Sequence, residues 1–409
     1  TLVEYEVDPS AMPYLLRKEH KLMGTTVKIY GKLTELTCTN QQLTGIKLEG
    51  QADMKKLTLN DNQLTYETTN LGDAVHLSWL NLAKNNIAIL NLRNFSELEY
   101  FDIYDNPELT TVAFADVNPK MKQIAMYNTD VVHFYDDYSF PELTVVDLHN
   151  TSLWDITFTG SHYPKLRSIN LSNNTIEDLD VSELPLLETL TLTNNRLTSL
   201  NVAANPELVS LNIDGNRQIK KINLQNNAKL TSLNVSNTAL TELDVRHMEA
   251  LRSLYMDSLA IDHVDLSELK WLQTFSAKGG QLSYLDFTAN YFCLRYLYLQ
   301  GNNRFTAQSL NFMYNTIHDP DRNGRIYVQG CTGAEQADPA KYLNLDDAAS
   351  HWSIDVEGDG SAPMDSVMLT VLPAKGGTFQ VWRRDFAWSL ERDNFAKHYE
   401  PATSGKVNR

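Results

Sequence analysis

The side chains of this chain that could take part in chemistry recur at intervals instead of gathering in one motif. Trp79 stands 21 residues before Tyr100, Tyr104 stands 23 before Tyr127, and Tyr127 stands 22 before His149. Tyr255, Tyr296 and Tyr298 follow further along. Such rings give large, stiff contact area at low entropic cost, so they suit recognition more than reaction. The usual reactive patterns are missing: there is no G-x-S-x-G elbow, no H-E-x-x-H, no phosphate-cradling glycine loop and no Cys/His metal spacing. His133 with Asp136 and Asp137, in "HFYDDYSF", comes nearest to an acid/base cluster, and a solvated loop accounts for it. Asp319, Asp321 and Asn323, in "DPDRNG", resemble the opening of a calcium loop, with Gly324 at the sixth place. The twelfth place is Gly330 where such a loop needs a bidentate Glu, so a plain turn is the preferred reading. These residues lead us to expect a binding protein, not an enzyme, with no cofactor and no metal.

The intervals have a structural cause. From residue 33 the phrase L-x-x-L-x-L-x-x-N-x-L restarts thirteen times, at Leu33, Met54, Leu77, Leu98, Met121, Leu143, Leu166, Leu187, Leu208, Leu230, Leu251, Leu272 and Leu294. No single turn of 21 to 23 residues could bury its apolar side chains alone, so the turns must stack. The expected fold is a right-handed leucine-rich-repeat solenoid with a parallel concave β-sheet. In each turn the fourth and sixth places, such as Ile169 and Leu171, alternate with polar residues and read as a short strand with one buried face. Asn fills the ninth place in seven turns (Asn62, Asn85, Asn106, Asn174, Asn195, Asn216, Asn302), where its amide can satisfy backbone groups exposed by the bend. Thr129, Thr151 and Thr238 can do so in part, whereas Leu259 and Gly280 cannot, so turns 11 and 12 should be the least regular. The second half of a turn, as in Leu197 to Val202, is too short for a helix and predicts an extended convex segment.

Composition narrows the partners. A net charge of −16 without any Lys/Arg-rich run argues against nucleic acid and anionic membrane. No run of about 18 apolar residues is present, so no membrane insertion is expected. The sequence opens at Thr1 with neither an n-region nor an h-region, which leads us to expect that an export segment, or some other boundary, lies before it. Three widely spaced cysteines make no disulfide framework, and Cys38 replaces a ladder Leu as a small buried hydrophobe.

Residues Leu33 to Leu48, "LTELTCTNQQLTGIKL", and Leu230 to Val245, "LTSLNVSNTALTELDV", resemble the internalin-like leucine-rich-repeat proteins of bacterial surfaces. The segment from Phe305 to Val356, with "FTAQSLNFMYNTI", "GRIYVQG" and "HWSIDV", looks like the C-terminal cap of exported repeat proteins of Bacteroidetes. That resemblance implies an extracellular or cell-surface location, with anchoring, lipid or other, through a segment outside this sequence. Asp257-Ser258-Leu259 and Asp365-Ser366-Val367 are similar to the short acceptor sequence for protein O-glycosylation in the same bacteria. The division we expect is an N-terminal cap over 1–32, the solenoid over 33–304, a C-terminal cap over 305–356, and a linker with a β-hairpin or truncated module over 357–409. Thr306 should cap a helix that presents Leu310, Met313, Tyr314 and Ile317 on one face.

On this scaffold the third, fifth and seventh places of each strand point out of the core into the concave face. Trp79, Tyr100, Tyr104, Tyr127, His149, Tyr255, Tyr296 and Tyr298 all fall there, and Tyr104, Tyr127 and His149 share the seventh place in successive turns, so they should stack in a row. Turns 7 to 10 carry only Ser, Thr, Asn and Asp at these places. We read the face as a solvated aromatic platform beside a hydroxyl-rich floor, gathered in one recognition patch. The competing reading is that aromatic ladders only stabilise the sheet. On the recognition reading, replacing Trp79, Tyr100 and Tyr127 by Ser removes binding and leaves stability unchanged. The expected partner is a protein or peptide, with a glycan as the alternative and a structural spacer as a third reading. The oligomeric state expected is monomeric.

Overall fold

The computed structural model describes residues 3–6, 27–30, 32–134, 137–290, 293–317, 324–343, 352–355, 369–371 and 380–382. One short strand from each of the thirteen turns, for example Lys56–Thr58, Thr189–Thr191 and Tyr296–Tyr298, enters a single parallel sheet of 15 strands. The register is constant: fourth-place Leu57 faces Leu80, Leu190 faces Leu211 and Phe275 faces Leu297. At the usual strand spacing such a sheet is roughly 65 to 70 Å long. One apolar core runs its whole length, from Leu48 to Leu343. The longer turns 4 to 6 fill it with rings, since Phe114 meets Phe101 at 5.9 Å and Phe140 at 5.3 Å, both edge-on.

The sheet continues past the last repeat. Gly324–Tyr327 pairs in parallel with Tyr296–Tyr298, and Trp352–Asp355 pairs with Gly324–Tyr327. Between them, Thr306 caps Ala307–Thr316 as expected, accepting a hydrogen bond from the Ser309 amide, and buries Leu310, Met313 and Tyr314. Near the N-terminus Val27–Tyr30 pairs in parallel with Val3–Glu6. Near the C-terminus Leu369–Val371 pairs antiparallel with Gln380–Trp382.

Extended convex segments occur as anticipated, but among the described residues they form paired strands only in turns 1 to 6: Ile46–Lys47 with Thr69–Asn70, Ile89–Asn91 with Thr111–Ala113, and His133–Phe134 with Asp155–Ile156. His133 sits on a convex strand, its ring edge-on to Trp154 at 5.1 Å; Asp136 lies outside the described residues.

The ninth-place asparagines work across turns. Asn195 Nδ2 donates to Leu192 O of its own turn and to Leu171 O of the turn before, at 3.0 and 2.9 Å, while its Oδ1 accepts from Ile176 N at 3.1 Å. Asn62, Asn85, Asn106, Asn174, Asn216 and Asn302 repeat this reach backwards. The threonines reach the carbonyls of their own turn, Thr129 Met126 O, Thr151 Leu148 O and Thr238 Val235 O, and Thr151 Oγ1 also lies 2.8 Å from Asn174 Oδ1 of the next turn. The expected irregularity of turns 11 and 12 does not reach the sheet, where Ser253–Tyr255 and Thr274–Ser276 keep full register. For turn 12 the direction of the ladder accounts for this: Gly280 is in the turn served by Asn302, which donates to Ala277 O at 2.6 Å and accepts from Leu282 N.

The eighth place of the turn, one before the asparagine position, has its own rule. Asn40, Asp61, Lys84, Asp105, Asn128, Asn150, Asn173, Asn194, Asn237 and Ser258 all have φ between 51° and 61°, and Gly215, Gly279, Gly301 and Gly330 take the same place with positive φ. Asn, Asp and Gly tolerate the left-handed region best. At Gly215 the requirement is also steric, because a Cβ there would lie 2.2 Å from Asn194 Oδ1.

Candidate functional site

The concave face carries the eight aromatic and His residues singled out from sequence, but divided into three groups. In the first, Trp79 and Tyr100 lie on adjacent strands with ring centroids 5.1 Å apart and planes tilted by 36°, both half-buried. Lys56 Nζ stands 5.3 Å from the Trp79 centroid and Lys122 Nζ 5.8 Å from that of Tyr100, so a cation caps each end of the pair. Lys122 is held there by Glu99 at 2.6 Å, and that hydrogen bond keeps its ammonium pKa above the ordinary value.

The second group is the seventh-place row. Tyr104 and Tyr127 stack at 4.5 Å and 7°, and Tyr127 and His149 stack at 4.4 Å and 14°. Asp147 Oδ1 lies 2.6 Å from His149 Nδ1, and Asn170 Nδ2 approaches the same nitrogen at 3.3 Å. The row is assembled as the sequence predicts, but the solvated platform is corrected: Tyr104 is 2% exposed, Tyr127 0% and His149 8%. Each ring covers the next, with Ala83 and Ala125 closing around them, so the row is a small second core on the concave side.

The third group lies toward the other end. Tyr296 and Tyr298 stack at 6.3 Å and 8°, and Tyr298 stacks on Tyr327 at 5.0 Å and 8°. Lys278 Nζ stands 5.7 Å from the Tyr298 centroid and 3.2 Å from Asp257 Oδ2. Tyr298 and Tyr327 are buried, Tyr255 is half-buried and Tyr296 is 37% exposed. From His149 to Tyr255 is five strand spacings, roughly 24 Å, so the aromatics do not form the single patch expected from sequence.

Between them, turns 7 to 10 are polar but committed. Asn170, Asn212 and Asn234 accept from the seventh-place amides of Ser172, Asp214 and Ser236 at 3.2, 3.1 and 3.0 Å. These side chains brace the strand ends, and Thr189, Thr191, Ser210 and Asn234 are buried. Tyr327 and Arg325, which lie beyond the thirteen repeats in sequence, join the same sheet opposite Tyr298 and Tyr296. A signal existed: in "GRIYVQG", Ile326 and Val328 fill the fourth and sixth places and Gly330 the eighth. The loop of Asp319, Asp321 and Asn323 lies outside the described residues, and among the described residues no group of His, Cys, Asp and Glu could hold a metal. No helix among them is long and apolar enough to cross a membrane.

The repeat, the parallel sheet and the asparagine ladder together define a leucine-rich-repeat solenoid. A family model described as leucine rich repeat matches residues 141–197. Among solved structures, an internalin (InlF) of Listeria monocytogenes is similar over 71% of this chain and 86% of its own, with 20% identity and a TM-score of 0.56. A leucine-rich-repeat protein of Leptospira interrogans is similar over 79% and 95%, with 16% identity and a TM-score of 0.55. The functional domain of InlJ from L. monocytogenes, which includes a cysteine ladder, is similar over 75% and 69%, with 20% identity and a TM-score of 0.51. At such identities these likenesses establish the fold.

Proposed function

We propose that this chain is a non-catalytic recognition scaffold that binds a protein or peptide on its concave face, with the Trp79–Tyr100 pair as the anchor. The observation that supports this reading is that pair itself. Two large rings remain partly open to solvent at ligand-facing places, flanked by Lys56 and Lys122, in a sheet whose other outward side chains are mostly short. Solenoids of this kind present extended concave surfaces that suit a macromolecular partner. A glycan is less well served, since sugars stack on free ring faces and here the faces meet one another or a lysine. The internalin-like resemblance supports placement at a bacterial surface, with the chain acting as a monomer. The spacer reading draws on one observation, the buried Tyr104–Tyr127–His149 row, which stability alone explains.

The test separates the two sets of rings. Trp79→Ser with Tyr100→Ser should remove capture of surface proteins in a cross-linking pull-down while the melting temperature stays within a few degrees of wild type. A variant that keeps every captured protein overturns the reading and favours the spacer. A glycan array probed with both proteins decides the remaining alternative.

A further inference from the structure

Past the asparagine bend, the tenth to thirteenth places of each turn form a flank outside the concave sheet. In turns 2 to 6 this flank keeps four large apolar side chains open to solvent: Tyr66 at 53%, Ile89 at 44%, Val132 at 37% and Trp154 at 56%. Their eleventh-place neighbours Leu64, Ile87, Val131 and Leu153 are buried, so the core is complete without them. Backbone pairing joins the turns here: Thr65 bridges to Asn86, Ile89 pairs with Thr111, the Asp130 amide donates to Leu109 O at 2.9 Å and the Ser152 amide to Val131 O at 3.2 Å. The four side chains therefore follow one another over four strand spacings, roughly 20 Å. A single exposed apolar side chain is ordinary on a protein surface, whereas a contiguous row marks an interaction site. Carboxylates gather at the end with Trp154. Glu108, Asp130, Asp155, Glu177 and Asp178 are exposed at the same places of turns 4 to 7. Asp130 accepts from Ser152 Oγ at 2.6 Å, a neutral partner that leaves its charge in place. No Lys or Arg occupies these places from turn 2 to turn 7, and Arg196 in turn 8 is the first.

We propose that this flank is a docking site for a basic polypeptide segment, whose arginine or lysine side chains lie against Trp154 among the carboxylates while its apolar side chains cover Ile89 and Val132. Indole is the best ring for holding a cation, and the surrounding acids raise the local concentration of one. Charge complementarity selects the occupant. A second copy of this chain, at net charge −16, would bring acid to acid, and an anionic membrane surface would be repelled in the same way. A small cation alone would leave Ile89 and Val132 in water. Trp79 and Tyr100 stand on the sheet and not on this flank, so the site rests on nothing in the function proposed above.

The experiment measures fluorescence anisotropy of a labelled hexapeptide of alternating arginine and leucine with the full chain at ~50 mM and ~300 mM NaCl. Wild type should bind at the lower salt and weaken about tenfold at the higher. At low salt Asp155→Asn with Asp178→Asn should weaken binding about tenfold. Trp154→Leu, which keeps the charge and an apolar side chain but removes the ring, should weaken it about threefold or more, and Ile89→Ser with Val132→Ser by a similar factor. Glu249→Gln with Glu335→Gln, which removes two charges at exposed sites outside the flank, should stay within about twofold of wild type, as should Trp79→Ser with Tyr100→Ser. The last variant separates this site from the anchor pair. Absence of low-salt binding, equal losses in the flank and control variants, or unchanged binding in Trp154→Leu would each overturn the proposal. Sedimentation velocity completes the test: a wild-type dimer that Trp154→Leu dissolves would assign the flank to a second copy instead.

Discussion

Asn195 shows what one side chain does in this fold. Its amide satisfies three buried backbone groups on two turns, Leu171 O, Leu192 O and Ile176 N. Alanine there leaves all three without their partner, and Asn195→Ala should cost about 1 to 3 kcal/mol for each group that water cannot reach. Urea unfolding of the variant checks this, and a loss below about 1 kcal/mol would mean that water replaces the amide. Cys331 illustrates burial acting on a reactive group. Its thiol donates to Leu299 O at 2.9 Å, and burial pushes its pKa up to about 11. In the folded protein at pH 8 it should resist iodoacetamide, then label fully in urea, as read by peptide mass spectrometry. Because the folded thiol titrates above its unfolded value of 9.0, its contribution to stability is complete below pH 9 and is lost as the pH rises toward 11. Glu97 has the opposite sign. The hydrogen bond from His76 at 2.6 Å, helped by Lys55 and Lys120, holds its carboxyl at about 2. Whatever stability the carboxylate gives is present above pH 4.5 and disappears as the pH falls to about 2. A carbon-detected NMR titration should place the Glu97 midpoint near 2, and His76→Ala should move it upward.

At the scale of the element, the seventh-place row and the Trp79–Tyr100 pair call for different outcomes from similar substitutions. Replacing fully buried Tyr127 by Ser removes a ring stacked on both sides and should cost about 3 kcal/mol or more. Chemical denaturation of Tyr127→Ser measures this, and a loss under about 1 kcal/mol would contradict the packing described. Combining Tyr127 with Trp79 and Tyr100 in one variant would therefore mix a stability loss with a binding loss. The alignment of Tyr104, Tyr127 and His149 was legible in the sequence because the period fixes each place in the turn. Their burial was not, because it arises from neighbours one turn away covering one another. The left-handed bend is an intermediate case: the run of Asn, Asp and Gly at the eighth place is a sequence signal of positive φ, but the more regular ninth-place Asn beside it dominates the eye.

For the whole molecule, period and core were readable from leucines alone, since Leu57, Leu80, Leu190 and Leu211 announce both the strand and its buried face. What lay beyond reading was where the sheet stops. Gly324–Tyr327 and Trp352–Asp355 are separated from the repeats and from each other by a helix and intervening chain, so the constant interval that reveals the other turns is broken.

The backward reach of the asparagines gives the solenoid a direction in time as well as in space. A turn leaving the ribosome has its bend completed only when the following turn arrives, as Ile176 waits for Asn195, Leu197 for Asn216 and Leu282 for Asn302. Synthesis from the N-terminus thus closes each bend one step behind the growing tip. Within the ladder, removing turns from the start orphans an Asn amide, whereas removing them from the end leaves the bend of the last remaining turn without its Asn.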